Sequence, residues 1–282
     1  MEPKQPKTAR CAESPVLWLN TDTSSWFTKT ATTRQLLFHN IIPIVLNAVI
    51  LLQRCAMTVN IARLSRVPFP LNEVTAGDCR QLADKLPDKC ATLAFCDPPY
   101  WVGFDYGDKT DNEMEHIDPV WLVTELQRIA RVVLVTPGIA NYYDYPKADW
   151  LVGWNKPAST GRSETLKGFN VWEPILVYGE PSKRVWQDSV TAHGGREFDA
   201  AFHKCPKPLA LLSWIVEQFT NEGDLVIDPL SGSGTTGKAC RLLRRDFIGF
   251  EIDPEMARLA NERIANAQPP LLTANTEQLE LE

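Results

Sequence analysis

The chain has 282 residues, of which 44% are hydrophobic and 23% charged, an ordinary balance for a soluble globular protein. That length suffices for one large α/β domain with insertions or for two small domains. The net charge of −6 and pI near 5.4 exclude a protein that coats nucleic acid through its overall charge, so any DNA-binding face has to be a local patch.

In chain order, the first fifty or so residues do not match the rest. "LLFHNIIPIVLNAVILLQRCA" (Leu36–Ala56) is apolar but interrupted, and its clean run, Ile41–Leu52, contains Pro43. A spanning helix needs about twenty predominantly apolar residues, so no membrane segment is expected. The run also lies too far in for an ordinary signal peptide. It is either a helical extension or a region ahead of a natural start at Met57. The second is preferred, because recognisable organisation begins only after Met57. Residues 1–56 are therefore expected to be an extension and residues 57–282 the functional domain.

The seven cysteines, Cys11, Cys55, Cys79, Cys90, Cys96, Cys205 and Cys240, are odd in number and contain no C-x-x-C pair. They are expected to be small buried residues in a reducing cytoplasm, not disulfides or metal ligands.

Short apolar runs then recur as strand candidates: Ala91–Cys96, Arg131–Thr136, Glu173–Gly179, Asp224–Pro229 and Asp246–Asp253. Helical patterns alternate with them over Asp118–Ala130, Pro206–Thr220 and Thr235–Arg245. Continuously apolar strands that alternate with helices indicate an α/β fold with a mostly parallel sheet covered on both faces. Ligands of such sheets sit at the carboxyl ends of the strands. The stretch Trp154–Arg196 differs, being rich in Gly, Ser, Thr, Lys and Arg, with Trp154, Phe169, Trp172 and Trp186 interleaved. A solvated loop and a nucleic-acid contact explain it about equally well.

The loop "DPLSGSGTTGKA" permits two ligands. Gly232 to Lys238 fits the spacing of a phosphate-cradling P-loop, but Ala239 stands where a Mg²⁺-ligating hydroxyl belongs. The other reading uses Asp228 at the strand end before the loop and Glu251 at the end of the next strand. Gly232 and Gly234 let the backbone turn tightly, Asp228 can bond a cationic amino group, and Glu251 stands where an acid binds ribose hydroxyls. Two such acids suit an aminoacyl-ribose ligand, which points to S-adenosylmethionine.

"FCDPPYW" (Phe95–Trp101) supplies a second site. The exocyclic amino nitrogen of a base is a poor nucleophile, because its lone pair is delocalised into the ring. The Asp97 carboxylate and the Pro98 carbonyl can accept its two N–H bonds, while Pro98 and Pro99 hold the backbone rigid. Tyr100 can stack on a base flipped from the duplex. Alone, the tetrapeptide would be a rigid turn after a buried strand; beside the Asp228–Glu251 pair it reads as a site.

"DPPY" followed far downstream by "DPLSGSGTTG" and "FIGFEID" resembles the amino-group DNA methyltransferases, in the permuted β order where the catalytic motif comes first. The similarity runs from about Val74 to Ala267 and includes "FHKCPKPLALLSWIVE" and "NVWEPILVYG". The resemblance implies a doubly wound, Rossmann-like methyltransferase fold with a short target-recognition insertion at about 154–196. It implies that Asp97, Pro98, Pro99 and Tyr100 are catalytic. It also implies that Asp78 holds the adenine of the S-adenosyl-L-methionine cofactor, Lys207 lies near its carboxylate and Glu251 binds its ribose. Asp228, Leu230, Ser231, Gly232, Ser233, Gly234, Thr235, Thr236 and Ile252 complete the expected cofactor site, and no metal is implied.

An aspartate opening the tetrapeptide favours N6 of adenine, where N4-cytosine enzymes more often carry serine. Transfer to N4 of cytosine is the alternative, ahead of RNA or a protein amide. The resemblance makes DNA the partner and a cognate restriction nuclease a candidate one. A recognition segment this short implies either a second copy of the chain, as a homodimer, or a target of a few base pairs. Two departures stand out: Leu230 replaces a usual phenylalanine, and Lys204 follows His203 where proline is usual.

Overall fold

The computed structural model describes residues 64–103, 110, 112, 114–157, 162–163, 167–185, 187–193 and 206–269. The expectations for residues 1–56 and Met57, and for Trp186, Arg196 and Phe202–Cys205, lie outside the described residues. The chain divides into Met1–Cys55 and Ala56–Glu282, and the second unit holds everything that follows.

Its elements are β1 (Glu73–Ala76), α1 (Cys79–Ala83), β2 (Ala91–Cys96), α2 (Pro119–Ile129), β3 (Ala130–Val135), β4 (Trp150–Asn155), the short β5 (Arg162–Ser163) and β6 (Gly168–Phe169), β7 (Trp172–Gly179), β8 (Ser189–Thr191), α3 (Leu209–Phe219), β9 (Leu225–Asp228), α4 (Thr235–Leu242), β10 (Asp246–Glu251) and α5 (Pro254–Ala265). Eight strands form one sheet in the order β1-β10-β9-β2-β3-β7-β4-β8. The first five of these are parallel, β7 runs antiparallel to β3 and β4, and β8 is parallel to β4. The expected doubly wound, mostly parallel α/β sheet is present.

Burial explains the strand sequences. Every residue of β2 and of β9 is buried, so both read as unbroken apolar runs instead of alternating ones. On one face α3, α4 and α5 press Leu211, Ile215, Cys240 and Ala260 against Phe95 and Phe247. On the other, α1 and α2 press Leu82, Leu122 and Leu126 against Ala94, Ile227 and Phe250. Cys79, Cys90, Cys96 and Cys240 are buried free thiols, as expected of small core residues.

Helix ends follow local chemistry. Asp118 caps α2 by accepting from Val120 N, and Pro119 occupies the first turn. Asp253 and Pro254 repeat that device at α5. α3 begins at Leu209, three residues later than the sequence pattern suggested, because Pro208 disfavours helical backbone at Lys207. α4 stops at Leu242, short of the expected Arg245, and Arg244 just beyond takes a left-handed φ of 59°. Strand β1 and helix α1 are too short to show a period. Helix α5 buries only Ala257, Ala260 and Ile264, a face too small-sided for its apolar stripe to stand out.

The stretch expected to read the target is not one loop. Trp172–Gly179 and Ser189–Thr191 are strands of the main sheet, and Trp154 is buried with its indole N–H on Ala192 O. What faces outward includes Phe169, Val171 and Trp172 beside the β5–β6 hairpin. Among the described residues no helix is long and apolar enough to cross a membrane, and no cluster of three or more His, Cys, Asp or Glu is placed to hold a metal.

The junction of β3 and β7 depends on Gly179, whose φ is +84° and whose missing Cβ would lie 2.3 Å from the Arg131 carbonyl oxygen. Gly179→Ala combines left-handed strain with a backbone clash. It is expected to destabilise the domain by at least about 1 kcal/mol, read as a lower urea midpoint; an unchanged midpoint contradicts this.

Candidate active site

From the boundary between β9 and β2 the chain winds outward in both directions, β9 through α4 to β10 and β2 through α2 to β3. That boundary is the topological switch point, where helices diverge and leave a crevice at the carboxyl ends of the strands. Four acids stand along this edge. Asp78 follows β1, Glu251 ends β10, Asp228 ends β9 and Asp97 follows β2. Register brings them together: Ala76 pairs with Glu251, Gly249 with Asp228, and Ala94 with Ile227.

The glycine loop is shaped by Asp228. Its carboxylate accepts from Leu230 N at 3.1 Å and from the Thr236 hydroxyl at 2.6 Å. Ser231 closes the turn by donating its hydroxyl to Asp228 O and its N–H to Phe250 O. Gly232 and Gly234 take left-handed φ values of 48° and 73°, and a Cβ on Gly234 would meet Ala260 at 2.9 Å. Thr235 and Ser233 are buried beneath Arg263 of α5, which donates to both hydroxyls. Leu230 is half-buried against the α1–α2 side of the core.

Gly232 N donates to Glu251 Oε2 at 2.9 Å, and Asp253 N donates to the other Glu251 oxygen at 3.0 Å. Ile252, next in the chain, is 65% exposed at the rim. Gly237 decides the P-loop question. Its missing Cβ would lie 2.5 Å from Ile264 and 2.7 Å from Phe247, so that glycine serves helix packing and not a phosphate. Lys238 lies on α4 beside the fully buried Ala239.

The acids differ in what faces them. Asp78 caps α1 and holds Arg80, which also reaches Glu115. The Arg80 hydrogen bond holds the Asp78 carboxyl below its ordinary value. Asp228 meets only neutral donors among the described residues, and burial pushes it up to about 7. Burial likewise raises Glu251.

Asp97 sits differently again. Lys207 Nζ donates to its Oδ2 at 2.5 Å, and the Thr136 hydroxyl donates to its Oδ1 at 2.5 Å. The Tyr100 hydroxyl lies 3.2 Å from the same Oδ1 and 3.3 Å from Glu173 Oε2. Pro98 is buried, and Asp97, Pro99 and Tyr100 are half-buried. Asn141 Nδ2 holds the Tyr100 carbonyl at 2.5 Å, and the tyrosine ring packs where a Cβ on Gly138 would stand 2.8 Å away. The Lys207 ammonium lies 5.1 Å from the Tyr100 ring centre and 6.0 Å from that of Trp154.

Sequence reasoning placed Lys207 near a ligand carboxylate; its partner here is Asp97, across the crevice. It named neither Thr136 nor Asn141, and had Lys156 and Glu173 only as members of the 154–196 stretch. One signal was present: Glu173 is an acid in the second position of a strand that is otherwise apolar and mostly buried.

The Asp228 shift has a consequence for stability. The folded protein holds this proton more tightly than the unfolded chain, so its contribution is complete below 3.8 and is lost as pH rises through about 7. Asp228→Asn keeps an acceptor and removes the titration. The fall in ligand-free stability between pH 5 and 8 is expected to be shallower in this variant; urea melts with equal slopes for variant and parent contradict that.

Comparison with known proteins agrees with this geometry. Residues 170–262 match the family described as DNA methylase, the N6/N4 methylases; the matched span holds Glu173, Lys207, the glycine loop and Glu251. The type II methyltransferase M2.MboI of Moraxella bovis is 42% identical over 89 residues, an alignment covering only 32% of either chain. The type II methyltransferase M.HinfI of Haemophilus influenzae is 22% identical over 258 residues, covering 71% of this chain and 70% of its own. Among solved structures, the cytosine-N4-specific PvuII DNA methyltransferase superposes with a TM-score of 0.51 at 15% identity, covering 67% of this chain and 85% of its own; this likeness concerns the fold. The glycine loop and the acid-ended strands β9 and β10 fall within the matched span, so residues 170–262 are similar to the N6/N4 DNA methylase family.

Proposed function

We propose that the protein transfers a methyl group from S-adenosylmethionine to the exocyclic N6 of adenine in DNA, within residues 57–282. The observation that carries this reading is Asp97–Tyr100 at the end of β2, directly across the switch point from the Asp228 loop on β9.

The loop side fits the methyl donor on its own chemistry. Among the described residues Asp228 and Glu251 are desolvated acids that meet neutral donors only, so a nearby cationic ligand offsets their burial. Glu251 keeps lone pairs beyond the two that Gly232 and Asp253 occupy, enough for ribose hydroxyls. Asp78 stands one strand further along the edge, beside Glu251, for the adenine end. When bound, the donor supplies an electrophilic methyl on a sulfonium.

The chain's own residues act on the acceptor. Asp97 and the Pro98 carbonyl accept the two N–H bonds of the target amino group. That draws the nitrogen towards tetrahedral geometry and aims its lone pair at the loop. Thr136 and Lys207 hold the Asp97 carboxylate in place, and Tyr100 stacks on the flipped base. Asp97 is also the acceptor placed to take the proton that the nitrogen sheds. The outward aromatic and basic residues of 154–196 serve as the DNA-facing surface, with the flipped base delivered to Tyr100.

Two measurements test this. Asp97→Ala should lower methyl transfer by about 10²–10⁴-fold while isothermal titration shows cofactor binding unchanged; unaltered turnover removes Asp97 from the mechanism. Mapping modified bases in DNA from cells expressing the protein should reveal N6-methyladenine in a fixed sequence. N4-methylcytosine without N6-methyladenine would overturn the adenine assignment, and methylation of RNA in preference to duplex DNA would overturn the substrate class.

A further inference from the structure

The Tyr100 hydroxyl has one proton and two carboxylate acceptors at nearly equal range, 3.2 Å to Asp97 and 3.3 Å to Glu173. Both distances exceed the 2.7–2.8 Å of a well-formed O–H···O bond, as expected of one donor shared between two acceptors. Glu173 is 7% exposed, and its other oxygen accepts from the Lys156 ammonium. Strand pairing explains that contact. Trp154 of β4 lies opposite Glu173 of β7, and Lys156 is two residues on, the diagonal neighbour on the same face. The Lys156 ammonium lies 5.0 Å from the Trp154 ring centre and the Lys207 ammonium 6.0 Å from it, so one indole lies near both cations that hold the acids.

Around Asp97, by contrast, acceptor capacity is nearly taken. Oδ1 receives the Thr136 hydroxyl and a share of Tyr100, and Oδ2 receives Lys207. At least three of its four lone pairs are engaged, and the share held by Tyr100 is the one that can be given up without breaking the Thr136 or Lys207 bond.

We infer that Glu173 is a positioning residue for methyl transfer: it takes the Tyr100 hydroxyl when the target base arrives and so releases Asp97 Oδ1 to accept the amino N–H. This rests on the proposed function and adds a residue to it. The hand-off is a rotation about the Tyr100 C–O bond. No covalent bond breaks and the proton stays on the tyrosine. Lys156 neutralises Glu173, so the second acid can sit this deep without a free charge. Thr136 and Lys207 hold Asp97 still while the hydroxyl turns away.

Glu173→Gln is the isosteric test. Its amide oxygen stays with Lys156, so its NH₂ faces Tyr100 and donates to the phenol oxygen. The tyrosine O–H is then confined to Asp97. The expected result is a kcat about tenfold lower, about 1.4 kcal/mol in the barrier, with KM for DNA and cofactor affinity unchanged. In a Tyr100→Phe background the hydroxyl is gone, so adding Glu173→Gln should alter kcat by less than about twofold, which is non-additivity in a double-mutant cycle.

Equal fold-losses in both backgrounds would mark Glu173 as merely structural and overturn the inference, as would a wild-type kcat for Glu173→Gln. Should that variant fail to fold, Lys156→Met with Glu173→Leu removes both charges and the acceptor together, and the same pair of ratios decides. The parent protein separates the two readings. If it transfers no methyl group to DNA, the proposed function fails; if it does and the cycle is additive, only the role of Glu173 fails.

Discussion

Strands β2 and β9 are buried on both faces, and that constraint governs everything else in the molecule. Side chains along such strands have nowhere to be polar, so chemistry is confined to their carboxyl ends. Parallel pairing then aligns those ends. Four acids from four adjacent strands come to share one edge, although Asp78 and Glu251 are far apart in the chain. No loop has to search for this arrangement, because the hydrogen-bond register imposes it.

Burial treats the four acids unequally, and the inequality divides the site in two. Arg80 and Lys207 place cations on the outer pair, Asp78 and Asp97. The inner pair, Asp228 and Glu251, meets backbone amides and a threonine hydroxyl, and desolvation raises both. The centre of the edge therefore favours a cationic ligand over a phosphate. That is the electrostatic reason why a loop with P-loop spacing is unsuited to a nucleotide triphosphate, apart from the hydroxyl missing at Ala239. Gly237 adds a steric reason, since its bare backbone is used up by Ile264 and Phe247.

The acceptor side is built by longer-range contacts. Thr136 follows β3, Glu173 stands second in β7, and Lys207 precedes α3, and all three converge on Asp97 or Tyr100. Each sits at the end of an element, where backbone direction is set by the neighbouring strand and side chains can still reach inward. The antiparallel strand β7 matters here: its first residues rise at the same edge where the parallel strands end.

Much of this was legible without coordinates, for definable reasons. Buried strands write themselves as apolar runs, and "ATLAFC", "LVID" and "DFIGFE" lie where the sequence indicated. Punctuation such as Asp118-Pro119 marks helix starts because capping is local chemistry. The acid–glycine–acid spacing of Asp228, Gly232 and Glu251 was readable because one βαβ unit carries all three. Elements too short for a period, β1 and α1, and the alanine-faced α5 left no such trace. Nor did Thr136, Asn141 and Glu173, partners of Asp97 and Tyr100 that lie between 39 and 73 residues away in the chain. Local sequence determined the elements, the loop and the Asp97–Tyr100 turn, because turns, caps and buried runs depend on neighbours in the chain. Only the tertiary structure decided which cation holds which acid, because that depends on strand order and register.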